Sequence, residues 1–316
     1  MDRTHGRTAL ALQGGAAHGA FQWGVLDRLL ETRGLQVPGA PFPDICGVSS
    51  GALNGVALAQ GWARSGAEGA RTEMRRLWEG LSGAQALTPL RAGVVERWMW
   101  GWDISNTVAW QGLETALRVW GPEQLNPFGF NPLRPVVTKL LDRDALRSAD
   151  APRIQVGVTD VETGRPVLFD NESITTEVLL ASCCLPFLFA PVRIDGRTFW
   201  DGGYSGNPPL APLLKPEPPD TLVLVRAQST ARSKVPHTAQ GIINRLNELA
   251  NQNVLDTELA MLPPGTRLVD YRADGVLDEL PMSSKFNVDE EFLHMLLTAG
   301  RRAVPQAVDP VRSAAA

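Results

Sequence analysis

Two strand–turn–helix units follow one another within the first sixty residues, and no other feature of this chain restricts its fold as strongly. Ala9-Leu10-Ala11-Leu12 is a short apolar strand, a glycine loop follows, and 20–33 carry Phe21, Val25 and Leu29 at helical spacing before Gly34 stops the helix. A proline-rich link then leads to DICGVSSGALNGVALAQG. Here Ile45 to Val48 reads as a buried strand, 49–51 as a sharp turn, and 52–60 as a small-residue helix capped by Gly61. Consecutive units of this kind predict a parallel sheet covered by helices, because parallel strands need a crossover that a helix supplies.

From Gly61 to about Arg134 strand signals vanish and seven of the nine tryptophans gather, Trp98, Trp100 and Trp102 among them. This stretch, about 62–134, is expected to be a helical insertion. Its apolar cluster of Trp98, Met99, Trp100 and Trp102 suits either the core of the insertion, the commoner outcome, or contact with a lipid surface. Strand patterns return at IQVGVTDVETGRPVLFDN, with a hairpin turn at 162–165, and again at PVRIDGRTFWDGG and TLVLVRA, where the sheet is expected to end. The region 231–312 then reads as a mostly helical C-terminal extension packed on an α/β domain at 8–230, and 314–316 as a frayed end.

At 316 residues the chain is long enough to bury a large core. A formal net charge of −4 gives no basic footprint for nucleic acid or an anionic membrane. Neither a secretory core nor about 18 uninterrupted apolar residues occurs, so a cytoplasmic chain is expected. Cys46, Cys183 and Cys184 form no disulfide framework, and four histidines give no zinc pattern, so no metal is expected.

Three short segments carry the chemistry. Gly47-Val48-Ser49-Ser50-Gly51 is a G-x-S-x-G between strand and helix, a context that exposes a strained serine at a helix N-terminus and makes Ser49 the candidate nucleophile, with Ser50 packing or capping. An ordinary tight turn with two capping serines is the alternative. The loop Gln13-Gly14-Gly15-Ala16-Ala17-His18-Gly19 aims backbone N–H groups and a helix dipole at one spot that suits an oxyanion. It lacks the middle glycine of a dinucleotide fingerprint, and a purely structural turn is its other reading. Asp201-Gly202-Gly203 ends a strand with an acid and two glycines. It is either a hairpin device or the second catalytic group.

Taken in order, LQGGAAHGAFQWGVL (12–26), GVSSGALNG (47–55), ASCCLPFLFAPVRIDGRTFWDGG (181–203) and Asn207-Pro208-Pro209 resemble the patatin-like phospholipases. The stretches 238–248 and 283–301 look like a bacterial subgroup with a C-terminal extension. The resemblance implies a three-layer α/β/α fold with a mostly parallel central sheet. It also implies a serine acyl hydrolase acting on lipid esters through an acyl-enzyme, a Ser49–Asp201 dyad without histidine, and an oxyanion hole of Gly14, Gly15 and Ala16 backbone N–H groups. No cofactor is implied, and the partners are a lipid or ester substrate and, peripherally, a membrane or lipid surface; the oligomeric state is not legible. Ala16 stands where the family usually has a third glycine, so its donor is the least secure. His18 stands where many members carry arginine, and a solvent-facing histidine at a helix start is its expected place.

Two rivals remain at this stage. An α/β-hydrolase triad would use Ser49, Asp201 and either His237 or His294. A non-catalytic binding protein on the same fold would keep the architecture without the chemistry.

Overall fold

A computed structural model describes residues 6–33, 41–84, 90, 93–117, 119–232, 235–237, 239–278 and 280–305. In chain order the elements are β1 (Thr8–Leu12), α1 (Gly19–Arg33), β2 (Asp44–Val48), α2 (Ser50–Gly83), α3 (Val94–Trp100), α4 (Val108–Leu117), α5 (Pro122–Leu125), α6 (Leu133–Leu140) and α7 (Arg143–Arg147). There follow β3 (Arg153–Asp160), β4 (Pro166–Phe169), α8 (Thr176–Ser182), β5 (Val192–Ile194), β6 (Arg197–Asp201), β7 (Thr221–Val225), α9 (Ala239–Ala260), β8 (Arg267–Tyr271) and α10 (Glu290–Ala303). The expected stop at Gly34 and the frayed end at 314–316 lie outside the described residues.

The eight strands form one sheet in the order β5-β6-β3-β2-β1-β7-β8, with β4 pairing β3 off this path. Its centre, β3-β2-β1-β7-β8, is parallel, while β4, β5 and β6 are antiparallel. The fold is therefore a mixed, mostly parallel α/β sheet flanked by helices. Alternation along β1 divides the two faces. Leu10 and Leu12 join the large core formed with α1, α2 and α10, whereas Ala9 and Ala11 join Leu222, Leu224, Leu210 and Leu255 on the other face. Strands sandwiched in this way are apolar along their whole length, which is why β1 reads as a continuous run.

Three expectations change. The helix after the G-x-S-x-G does not end at Gly61: α2 continues to Gly83, broken only by non-helical backbone at Ser65 and Gly66. Gly61 is a packing residue rather than a cap, since a Cβ there would lie 2.5 Å from the carbonyl oxygen of Gly69 across that kink. The sheet does not end at β7 either. The C-terminal region contributes β8, parallel to β7 from Thr221↔Arg267 to Val225↔Tyr271. Its sequence, RLVDY, lacks an uninterrupted apolar run because β8 is a half-covered strand at the end of the sheet. Finally, the tryptophan cluster does not fill a core: Trp98 and Met99 are exposed and Trp100 is 38% exposed, and only Trp102 packs inward, 5.2 Å from Phe292 between ring centres.

The last helix is tied to the first. α10 lies across α1 so closely that a Cβ on Gly24 would meet the Leu297 carbonyl oxygen at 2.0 Å, and one on Gly300 that of Phe21 at 2.0 Å. Together, β8 and α10 make the C-terminal region part of the same sheet and the same core.

Candidate active site

Strand register brings the candidate nucleophile and the candidate base together. Val48, the last residue of β2, pairs with Gly157, and Asp201, the last residue of β6, pairs with Val158. Two consecutive residues of β3 thus hold the ends of two strands that are about 150 residues apart in the chain. Close approach requires glycine at these joints: a Cβ on Gly157 would come within 2.7 Å of the Val48 side chain, and one on Gly202 within 2.2 Å of the Gly157 carbonyl oxygen.

Ser49 sits at φ 53° and ψ −130°, in the region that disfavours a side chain, at the N-cap of α2. The glycines of the motif account for the turn: a Cβ on Gly47 would meet Gly51 backbone at 2.7 Å, and one on Gly51 would meet the Leu12 carbonyl oxygen at 2.3 Å. The strained backbone is held from behind. Ser49 N–H donates to Ser182 Oγ at 2.9 Å, and Ser182 Oγ–H donates to the Gly157 carbonyl at 2.8 Å, so the end of α8 locks the peptide of the candidate nucleophile to β3. Nothing in the sequence around Ser182 marks this role, because the bond spans 133 residues. Replacing Ser182 by alanine leaves a buried N–H unpaired, at a cost of about 1–3 kcal/mol, and loosens the serine. The expected result for Ser182→Ala is a fall in kcat of roughly 10–100-fold with KM nearly unchanged, read from steady-state ester hydrolysis; an unaltered kcat would show that the anchor is dispensable.

Asp201 is buried. Its Oδ1 accepts from Gly203 N–H at 2.8 Å, its own N–H donates to the Cys184 carbonyl at 2.9 Å, and its carbonyl accepts from Thr159 Oγ1 at 2.8 Å. Burial pushes its carboxyl up to about 6, against the opposing pull of the Gly203 N–H and the Ser49 side chain. A carboxylate at that value is a far better proton acceptor than a solvated aspartate. The thiol of Cys183, behind the pair, is raised beyond the ordinary thiol range, first by burial and then by Asp201, and stays a neutral packing group.

The glycine loop lies against the serine: a Cβ on Gly14 would come within 2.9 Å of Ser49 Cβ. Two of its three backbone donors are already engaged. Gly14 N–H donates to Asn207 Oδ1 at 2.6 Å, with Asn207 Nδ2 returning a 3.3 Å bond to the Gly14 carbonyl, and Gly15 N–H donates to Ser50 Oγ at 3.1 Å. Ala16 N–H has no hydrogen-bond partner among the described residues. Ala16 does not retreat to a conformation comfortable for a Cβ; it keeps φ 52°, a left-handed backbone that costs an alanine roughly 1–2 kcal/mol. The sequence thus pointed to the loop but not to Asn207, which pins it, although Asn207 is one of the residues that follow Asp201-Gly202-Gly203.

His18 is not at the surface. It is 2% exposed, with Nε2 2.8 Å from Ser284 Oγ, and burial first, then Lys285 and Arg232, holds its pKa down at about 3. His237 is exposed in a loop, and His294 is exposed on α10 beside Trp23. Neither lines the cavity that contains Ser49, so no histidine among the described residues stands as a third member of a triad there.

That cavity, of about 300 Å³, holds Gly14, Gly15, Ala16, Ser49, Asp201, Gly203 and Asn207 at one end. Its apolar wall comes from Trp110, Leu113 and Leu117 of α4 and from Leu185, Phe187 and Leu188. A more polar wall comes from α9 and the 3₁₀ segment Met282–Phe286. Among the described residues there is no group of three or more metal-ligating side chains, and no helix is long and apolar enough to cross a membrane.

Comparison with known proteins places these features in a wider group. The patatin-like phospholipase family model matches residues 10–214, so α9, β8 and α10 lie beyond the matched region. Among solved structures, VipD from Legionella pneumophila resembles this chain at 14% identity and a TM-score of 0.41, over 94% of this chain and 65% of that one. The chain therefore spans about 65% of the length of VipD.

Proposed function

Because this chain belongs to the patatin-like phospholipases, a family of lipid acyl hydrolases, we propose that it cleaves a lipid carboxylic ester with Ser49 as nucleophile and Asp201 as general base. The observation that carries this reading is the meeting of a strained, helix-capping Ser49 with a buried Asp201 of raised pKa at adjacent residues of β3. Ser49 Oγ attacks the ester carbonyl while Asp201 takes its proton. The alcohol leaves with that proton, and water then releases the acyl group by the same path in reverse. Of the expected oxyanion donors, Ala16 N–H is ready, and Gly15 N–H can exchange its 3.1 Å bond to Ser50 for the developing charge. Gly14 N–H serves instead as the anchor to Asn207. Each such donor contributes roughly 3 kcal/mol to the transition state. A fluorophosphonate probe, which reacts only with an activated serine, tests the reading directly: stoichiometric labelling at Ser49 supports it, and an unlabelled protein would leave a non-catalytic member of the family.

The acyl chain is assigned to the apolar wall, since burying each methylene there contributes about 0.8 kcal/mol. A lipid surface is the natural source of such a substrate, and the exposed Phe187 and the half-exposed Ile243, both lining the cavity, mark its mouth as apolar. Trp98 and Trp100, exposed on α3, supply the interfacial contact that large amphipathic rings favour. The double variant Trp98→Ala/Trp100→Ala is expected to bind phosphatidylcholine vesicles about 10-fold less tightly while still hydrolysing a short soluble ester. Unchanged sedimentation with vesicles would remove these two residues from the contact.

A further inference from the structure

Ala16 keeps a left-handed backbone, φ 52°, although an alanine gains by leaving it. Such a residue stays strained only where its neighbours fix it from both sides. On the N-terminal side Asn207 exchanges two bonds with Gly14, and Gln228 Nε2 adds a third to the Gly14 carbonyl at 2.9 Å. On the C-terminal side the backbone bonds are local: His18 N–H donates to the Gly15 carbonyl at 3.1 Å, and Gly19 N–H meets the Ala16 carbonyl. These bonds turn with the loop and do not tie it to the rest of the molecule. The His18 side chain does.

The His18 ring is buried, and its one hydrogen bond among the described residues is to Ser284. The direction of that bond is set by a third group. Ser284 Oγ–H donates to the Pro281 carbonyl at 2.6 Å, so His18 Nε2–H donates to Ser284 Oγ at 2.8 Å. Burial first, then Lys285 and Arg232, keeps the ring neutral, so this one tautomer holds through the neutral range. Ser284 is itself a fixed point, in the middle of Met282–Phe286. Ser283 Oγ donates to Asp103 Oδ1 at 2.7 Å, Lys285 pairs with Glu248 of α9 at 3.2 Å, and Phe286 packs on Trp110 of α4 at 5.3 Å between ring centres.

We propose that Ser284 is a positioning residue for ester cleavage: through His18 it keeps Ala16 left-handed, and so keeps the Ala16 N–H aimed at the oxyanion that forms beside Ser49. The proposal rests on the acyl-hydrolase reading and deepens it. The donor lies inside the family-matched region 10–214, and the residue that holds it lies beyond. Without the Ser284 bond the loop relaxes toward negative φ, which turns the Ala16 N–H away.

The test uses the full chain and two inhibitors of p-nitrophenyl butyrate hydrolysis, an alkyl trifluoromethyl ketone and the methyl ketone of the same chain length. Ser49 Oγ adds to the carbonyl carbon of the first: the O–C bond forms, the serine proton passes to Asp201, and the carbonyl oxygen takes the electron pair as an oxyanion. The second binds with its carbonyl intact. The ratio of the methyl ketone to the trifluoromethyl ketone inhibition constant therefore reads the oxyanion donors, and partial loss of folded enzyme does not move it. In wild type this ratio is expected to be on the order of 100 or more. Ser284→Ala and His18→Leu should each lower it about 10-fold, with KM and the methyl ketone constant nearly unchanged. His18→Gln, whose amide N–H reaches the place of Nε2–H, should restore most of it. In an Ala16→Gly background, where the left-handed backbone is unstrained, Ser284→Ala should lower the ratio only about 2-fold. The positioning role is overturned by an unchanged ratio in both Ser284→Ala and His18→Leu, by equal weakening of both ketones, by a His18→Gln ratio no higher than that of His18→Leu, or by a full-sized effect in the Ala16→Gly background. In each of those cases a high wild-type ratio leaves the hydrolase reading standing. A wild-type ratio near one is instead the failure of that reading, and the proposal falls with it.

Discussion

Ser49→Ala is expected to lower kcat for p-nitrophenyl esters by a factor on the order of 10⁴ or more and to abolish fluorophosphonate labelling, with the fold intact. The size of the loss follows from covalent catalysis: without Oγ the acyl-enzyme cannot form, and only binding and the oxyanion donors remain to favour direct attack by water. The intact fold follows from the way the residue is held. The bond to Ser182 Oγ uses the backbone N–H of Ser49, and Leu53 N–H meets its carbonyl at 3.1 Å, so alanine keeps both. Its left-handed φ strains alanine about as much as serine. Circular dichroism and a thermal melt establish the fold, and rates across acyl lengths establish the chemistry. A Ser49→Ala protein that retains more than about 1% of wild-type turnover would displace Ser49 as nucleophile.

Asp201→Asn should combine a loss of turnover of roughly 10³-fold or more with a gain in stability at neutral pH. The loss comes from removing the proton acceptor. The gain comes from the same burial that makes the group basic. In the unfolded chain this carboxyl ionises near 3.8, and in the folded chain only near 6, so charging it opposes folding. Well below pH 3.8 the group is protonated in both states and the penalty is absent; it sets in around 3.8, grows as pH rises to about 6 and is complete above that. A difference of about two pKa units corresponds to about 3 kcal/mol at pH 7, an order-of-magnitude value for a group 5% exposed. Asparagine keeps an oxygen for Gly203 N–H but carries no charge to desolvate. Thermal melts should therefore show the variant several degrees more stable than wild type at pH 7.5 and equal to it near pH 3.5. In wild type, kcat/KM should fall as pH drops through about 6. Equal melting at both pH values would refute the assignment of burial as the source of the basicity.

Much of the family-matched region is legible in the residues themselves. Local signals and tertiary structure agree there: β1, α1 and β2 lie where apolar runs put them, and the hairpins at 153–169 and 192–201 close where turn residues stand. Misreadings cluster where a local signal was answered from far away. Gly61 looked like a helix stop and is a point of contact with Gly69. The charged RLVDY hides a strand whose partner is β7. His18 looked like a surface residue at a helix start and is buried against the Met282–Phe286 segment, 266 residues onward.

The same division holds in the site. Residue type and local backbone demand made Ser49 the candidate, because the glycines of G-x-S-x-G between strand and helix suit its turn, and they brought Asp201 and the glycine loop into consideration. Those determinants act within a few residues, where sequence spacing and geometry are nearly the same thing. Tertiary structure alone decided that Val48 and Asp201 end on adjacent residues of β3, that Ser182 holds the peptide of Ser49, that Asn207 and Ser50 occupy two expected oxyanion donors, and that Lys285 reaches the cavity wall. Hydrogen bonds, burial and charge pairing depend on distance in space, and a linear order of residues carries no distance beyond the next turn.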